Sequence, residues 1–298
     1  MKNDFIELNF YKNIHFLEKQ NSFNASLTPS KINYLWPMTI QFDKYQGAGN
    51  DFVILDNRQG KYNGLTTAQI TFICDRHKGI GADGLILINS DLTADFEMQY
   101  FNSDGNESTL CGNGGRCAVA FAHDRNIINN TTKFNAVDGF HLAIYNNPMQ
   151  VKLEMQDVTE FLKVGSGLVV DTGSPHYIEL VEDVQSVNIQ KEGATIRYSD
   201  AFLPGGINVN FVEKEDSTHY KIRTYERGVE GETLACGTGT VAAALAMHHI
   251  SESADATELH LKALGGDLTV SFEVSNGNYH SIFLIGPAVF VFSGSIYI

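Results

Sequence analysis

The chain has 298 residues, 43% of them apolar and 19% charged, with a net charge of −14. This is a globular composition with length for two domains, and it excludes a nucleic-acid binder, which needs a basic stripe. Four cysteines, Cys74, Cys111, Cys117 and Cys236, are too few for a disulfide scaffold, and no CxxC pair suggests zinc. They read as reduced thiols of a cytoplasmic protein, and no apolar run approaches the ~18 residues of a membrane span.

Residues 1–37 show no strand alternation, and Lys2, Asp4, Glu7 and Lys12 interrupt any signal-peptide core. Either Met38 is expected to be the physiological start, or residues 1–37 form an N-terminal extension. From residue 40 the pattern sharpens. Phe52-Val53-Ile54-Leu55 and Leu85-Ile86-Leu87-Ile88 read as strands bounded by turn residues. Between them, residues 65–77 open on threonine caps and carry Ile70, Ile73, Cys74 and His77 at helical spacing. Residues 95–101, 151–155 and 268–274 alternate like half-buried strands, and the alanine-rich stretches 113–125 and 237–249 read as helices. Many strands and few helices predict an α+β protein rather than a βαβ array.

The approaches to the last two helices repeat. Gly105, Glu107, Leu110 and Cys111-Gly112-Asn113-Gly114 match Gly228, Glu232, Leu234 and Cys236-Gly237-Thr238-Gly239, with the two cysteines 125 residues apart. A fainter repeat joins the turn and strand at Gly49-Asn50-Asp51-Phe52 to those at Gly173-Ser174-Pro175-His176. The matching offsets imply duplication of one unit, two facing domains, and a cleft that receives one cysteine from each.

A lone cysteine is most often a buried small hydrophobe, and Cys74 and Cys117, on helical faces, fit that reading. Cys111 and Cys236 do not, because each precedes a Gly-x-Gly turn at a helix N-terminus. Unpaired N–H groups and the helix dipole favour anions there, so the thiol pKa is expected to fall. Two quasi-symmetric acid/base groups suit inversion of a stereocentre: a thiolate takes the α-proton on one face and a thiol returns one from the other. An α-proton is far less acidic than a thiol, so the developing charge needs oriented N–H donors in a dry cleft. Gly79-Ile80-Gly81-Ala82-Asp83-Gly84 matches GxGxxG, but it follows a helix and precedes a strand, the reverse of dinucleotide-binding order. His77, His123, His248 and His249 lie on helical segments and read as core or surface histidines.

Residues 40–298 resemble the diaminopimelate epimerase family. The carrying motifs are Gly47-Ala48-Gly49-Asn50-Asp51-Phe52, Asp75-Arg76-His77, Gly79-Ile80-Gly81-Ala82-Asp83, Phe101-Asn102, Asp104-Gly105 and Cys111-Gly112-Asn113-Gly114. Further along come Arg116-Cys117, Gly173-Ser174-Pro175-His176, Asn208-Val209, Tyr225-Glu226-Arg227-Gly228, Gly231-Glu232-Thr233, Ala235-Cys236-Gly237-Thr238-Gly239 and Gly286-Pro287-Ala288. The resemblance implies interconversion of LL- and meso-diaminopimelate in lysine and peptidoglycan precursor synthesis, without pyridoxal phosphate or any other cofactor and without metal. It places the catalytic cysteines at Cys111 and Cys236. Substrate contacts fall at Asn50, Asn102, Gly112, Asn113, Asn208, Glu226, Arg227, Gly237 and Thr238, and the groups that tune thiol pKa at His176 and Glu226.

It further implies two pseudo-symmetric domains, each an antiparallel β-sheet or barrel wrapped around a central helix. These cover 38–154 with 287–298, and 155–286. A homodimer is common among relatives; nucleic-acid and membrane partners are not expected. Two positions depart from the family: Gly84 stands where many members have Gln, and Ser174 where many have Asn. The rival readings are a proline or hydroxyproline racemase, a phenazine-type isomerase of the same fold that lacks the cysteines, and a non-catalytic amino-acid-binding protein. The Glu226-Arg227 pair speaks against the racemase, since a proline-sized substrate needs no second amino-acid anchor.

Overall fold

The computed structural model describes residues 38–251 and 255–298. The expectation of an extension over 1–37 lies outside the described residues.

The strands join into one continuous eighteen-stranded sheet that folds around two long helices, α2 (Gly112–Asp124) and α4 (Gly237–Ile250). Two shorter helices, α1 (Thr67–Cys74) and α3 (Ile189–Arg197), connect strands. In the strand Phe96–Asn102, Phe96, Met98 and Tyr100 are buried while Glu97 and Gln99 are not, as a two-residue period requires. From Gly112 to Ala122 every residue of α2 is buried, and α4 is buried on nearly all sides. Alanine makes that possible, since a thin helix lets the sheet close around it from every direction.

The chain traces one plan twice. The strand Asn50–Asp56 leads through α1 to a parallel partner, Gly84–Asn89, which pairs antiparallel with Phe96–Asn102. In the second half, Pro175–Val181 leads through α3 to a parallel partner, Asn208–Lys214, which pairs antiparallel with His219–Glu226. The registers correspond: Phe52 faces Gly84, and His176 faces Asn208, both 124 residues further along. The mostly antiparallel sheet therefore contains four parallel crossovers, because Phe96–Asn102 also leads through α2 to a parallel Thr131–Ala136 and His219–Glu226 through α4 to a parallel Glu258–Ala263.

Each helix centres its own core. Around α2 gather Phe52, Ile86, Phe96, Phe134 and Leu153; around α4, Val212, Ile222, Val270, Ile282 and Leu284. Met155 packs against both cores, and the C-terminal strand Val289–Tyr297 returns to pair antiparallel with Thr39–Gly47.

The three expected helices are present within a few residues of their predicted ends. Helix α1 begins with a reciprocal capping box between Thr66 and Gln69. Helix α3 escapes the sequence reading because Gly193 interrupts it. The glycine is there for packing: a Cβ on Gly193 would lie 2.5 Å from Tyr225 Cβ. Gly→Ala within a helix ordinarily stabilises by up to ~1 kcal/mol. Gly193→Ala is expected instead to destabilise by about 1–3 kcal/mol through overpacking, read as a lower denaturation midpoint in urea.

Candidate active site

The glycine after each cysteine decides the geometry. A Cβ on Gly112 would lie 3.6 Å from Gly237 Cα, and one on Gly237 would lie 3.4 Å from Gly112 Cα. The N-termini of α2 and α4 therefore abut, with Leu284 Cδ2 packed beneath both at 3.1 and 2.9 Å from the same two positions. Cys111 and Cys236 are the N-cap residues of these helices, both in extended backbone and both half-buried. The two sulfurs thus open into one cavity of about 670 Å³.

Of the residues expected to bind substrate, Asn50, Asn102, Gly112, Asn208, Glu226, Arg227, Gly237 and Thr238 line this cavity with the two cysteines. Asn113 does not. Its side chain is buried, donating from Nδ2 to Asn50 Oδ1 at 2.5 Å and Ala235 O at 3.2 Å, and accepting from Arg116 at 2.6 Å. What it holds is Asn50, whose own Nδ2 donates to Asp83 Oδ2 at 3.0 Å. Asn208 is held the same way, donating to Pro175 O and Ser174 Oγ and accepting the Arg227 backbone N–H at 2.9 Å.

Both departures from the family bear on the cavity wall. A Cβ on Gly84 would lie 2.5 Å from Tyr100 Cε2, so the tyrosine ring covers that position and itself lines the cavity. Ser174 lines the cavity directly, with Oγ at 3.0 Å from His176 Nε2 and 3.4 Å from Thr238 Oγ1. Tyr100 was not anticipated, because in sequence it belongs to an ordinary alternating strand.

His176 is fully buried beneath the cavity and does not line it. Asn210 Nδ2 donates to its Nδ1 at 3.1 Å, leaving the proton on Nε2, which faces Thr238 Oγ1 at 2.9 Å. Thr224 Oγ1 donates to Asn210 Oδ1 at 2.9 Å, which orients that amide. Thr238 Oγ1 in turn lies 3.6 Å from Cys236 Sγ, and Ser174 Oγ shares the His176 Nε2 contact at 3.0 Å. A chain of hydrogen bonds thereby links Thr224 through Asn210, His176 and Thr238 to Cys236. Burial, with Arg227 nearby, pushes the His176 pKa down to about 3.

The thiols differ from the simple helix-tip expectation. Backbone N–H groups of Asn113 and Gly114 do lower the Cys111 pKa, and that of Gly239 does so for Cys236. Burial outweighs them and, with the Glu226 carboxylate, pushes both thiols up. The Glu226 carboxyl is itself raised by burial; it accepts from Thr233 Oγ1 at 2.5 Å and from the Cys236 thiol. Cys74 and Cys117 are buried, and burial pushes both up to about 12, as inert core thiols require.

The fold is shared with solved proteins of distant sequence. A phenazine biosynthesis protein from Bacillus anthracis superposes with a TM-score of 0.69 at 17% identity, over 88% of this chain and 100% of that one. A hydroxyproline epimerase from Agrobacterium vitis superposes with a TM-score of 0.62 at 14% identity, over 88% of this chain and 94% of that one. The sequence pattern of diaminopimelate epimerase matches residues 42–159 and 168–291, and the chain belongs to that family. The diaminopimelate epimerase of Flavobacterium psychrophilum is 48% identical over 253 residues, covering 85% of this chain and 98% of that protein. That of Chlorobaculum tepidum is 44% identical over 258 residues, covering 84% and 98%.

The neutral, buried state of His176 has a sign that can be checked. Its folded pKa, about 3, lies below the usual ~6.5 of an unfolded chain. The unfolded state therefore binds the extra proton between these values, and stability is lost as pH falls from about 6.5 towards 3. The His176 ring resonance should hold its neutral position from pH 8 to pH 5. His176→Gln should flatten the fall in denaturation midpoint across that window relative to the parent protein.

Proposed function

We propose that this isomerase inverts one α-carbon of diaminopimelate with Cys111 and Cys236 as its two proton-transfer groups. The observation that carries the reading is the abutment of the two helix tips at Gly112 and Gly237, which turns both thiols into one cavity. A thiolate on one side removes the α-proton while the opposed thiol delivers one to the other face, and the roles exchange for the reverse substrate. The carboxylate of the reacting centre lies over the N–H groups at Gly112-Asn113 and Gly237-Thr238, where developing negative charge meets two helix dipoles at once. Raised thiol pKa values make the thiolate a stronger base, and burial of the thiols limits the water that competes for it.

The rest of the substrate is held by the cavity wall. Arg227 matches a carboxylate, Glu226 an ammonium, and Asn50, Asn102 and Asn208 hydrogen-bond either group. Glu226 and His176 act on Cys236, the first by accepting from its thiol and the second through Thr238. The two cores support lobes at 38–154 with 287–298 and at 155–286. The four unbridged cysteines fit a reducing compartment such as the cytoplasm.

The reading is tested in D2O with reduced protein and LL- or meso-diaminopimelate. Deuterium should enter one α position without added cofactor, and proline run in parallel should stay unlabelled. Cys111→Ala and Cys236→Ala should each abolish epimerisation while Cys74→Ala retains it; full epimerase activity in either of the first two would defeat two-base chemistry. Arg227→Met should lower kcat/KM by about 10- to 100-fold, the loss of one charge-assisted contact, mainly through KM.

A further inference from the structure

One buried cation has no part in the chemistry above. Arg116 is fully buried in α2, five residues after Cys111. Its guanidinium donates to Asn113 Oδ1 at 2.6 Å, Gly112 O at 3.3 Å and Pro287 O at 3.4 Å. It lies against Gly286, where a Cβ would come 3.3 Å from its Cζ and Nε. Every one of these partners is neutral, and among the described residues no carboxylate pairs with it. A buried cation without an anion is costly, and a folded chain keeps one where negative charge arrives from elsewhere.

The duplication shows what is special about the position. Five residues after Cys236 the second frame has Val241. Two thiols with the same backbone setting therefore differ in the charge around them: a guanidinium stands behind Cys111, and the Glu226 carboxylate accepts from Cys236. The other titratable groups facing Cys111 are Glu226 from the strand His219–Glu226, Tyr100 from the strand Phe96–Asn102, Cys236 at the tip of α4 and Cys117 on α2. All of these are acids; of the two guanidiniums near the tip, Arg227 on the cavity wall and Arg116 behind it, Arg116 is the one whose charge acts on Cys111.

We propose that Arg116 is a positioning residue whose fixed charge behind the tip of α2 makes Cys111 the first thiol to ionise, leaving Cys236 as the resting proton donor. This rests on the two-thiol reading given above. Burial brings Arg116 down to about 10, which keeps it charged at neutral pH, and its charge lowers the Cys111 pKa. Through Asn113 the same guanidinium also orients Asn50 at the cavity wall.

The test reads thiolate directly and needs no turnover, so it can fail independently of the epimerase reading. Iodoacetamide alkylation of Cys111 and Cys236 is followed separately by peptide mass spectrometry from pH 6 to 10, in the parent protein and in R116M, R116Q and R116K, each checked for folding by circular dichroism. In R116M and R116Q the Cys111 midpoint should rise by about one pH unit or more, roughly tenfold slower alkylation below both midpoints, with the Cys236 midpoint unmoved. R116K should stay near the parent. R116Q keeps a donor for Asn113 and serves where R116M does not fold. An unchanged Cys111 midpoint in a folded neutral variant, or equal shifts at both cysteines, overturns the proposal. Should neither neutral variant fold, the order in the parent decides: Cys111 alkylated at lower pH than Cys236 is expected, and the reverse order overturns it.

Discussion

Everything at the site follows from two helices meeting end to end. An α-helix N-terminus presents unpaired N–H groups, and bringing two such ends into van der Waals contact is possible where neither carries a side chain at the point of approach. Gly112 and Gly237 supply that point, and Leu284 packs under both. The contact places two N-caps on opposite sides of one space, so the cysteines at those caps face a common cavity without any loop having to reach. It also explains the alanine content of both helices. Each must be thin enough for a single continuous sheet to wrap it while its tip stays at the centre of the molecule.

Burial turns out to be the stronger hand on the thiols. A helix tip alone would make a cysteine acidic, as its N–H groups and dipole favour the thiolate. Here the same N–H groups act beside thiols packed into the cavity floor, and burial moves both thiols the other way. For abstraction of a weakly acidic proton this is the more useful arrangement. A thiolate stabilised by its surroundings is a poor base, whereas one formed against a desolvation cost recovers that cost as it takes up the proton.

The parts of this site written by backbone constraint are legible in sequence. Cys-Gly-x-Gly ahead of an alanine-rich stretch marks a helix tip that something approaches closely, and its recurrence 125 residues on marks a duplication. The parts written by cross-strand register are not. Nothing local links Thr224 to Asn210, or Asn210 to His176; they meet because His219–Glu226 pairs with Asn208–Lys214, which pairs with Pro175–Val181. Tyr100 covers Gly84 for the same kind of reason, since its strand lies beside that of the glycine. Asn113 shows the limit of a motif: its place at the tip is as expected, but its amide is taken up by Asn50, Ala235 and Arg116 instead of facing the cavity.

Register also shows how one ancestral unit became two unlike halves. Phe52, Ile86 and Tyr100 in the first half stand where His176, Asn210 and Thr224 stand in the second, each pair 124 residues apart. The first set is apolar packing under α2, with Phe52 and Tyr100 edge to face at 6.0 Å. The second is a hydrogen-bonded chain that ends at Cys236. Asn102 at the cavity wall corresponds to Glu226, and Gly84, covered by Tyr100, corresponds to the wall residue Asn208. A symmetric pair of thiols inside a symmetric wall would hold a substrate equally well in two opposite orientations. With Glu226, Arg227 and the histidine chain on one side, and Tyr100, Asn102, Asp83 and Asp104 on the other, the two sides of the cavity present different chemistry. The shared frame turns both thiols into one cavity; the divergence around it makes the two sides of that cavity chemically unlike.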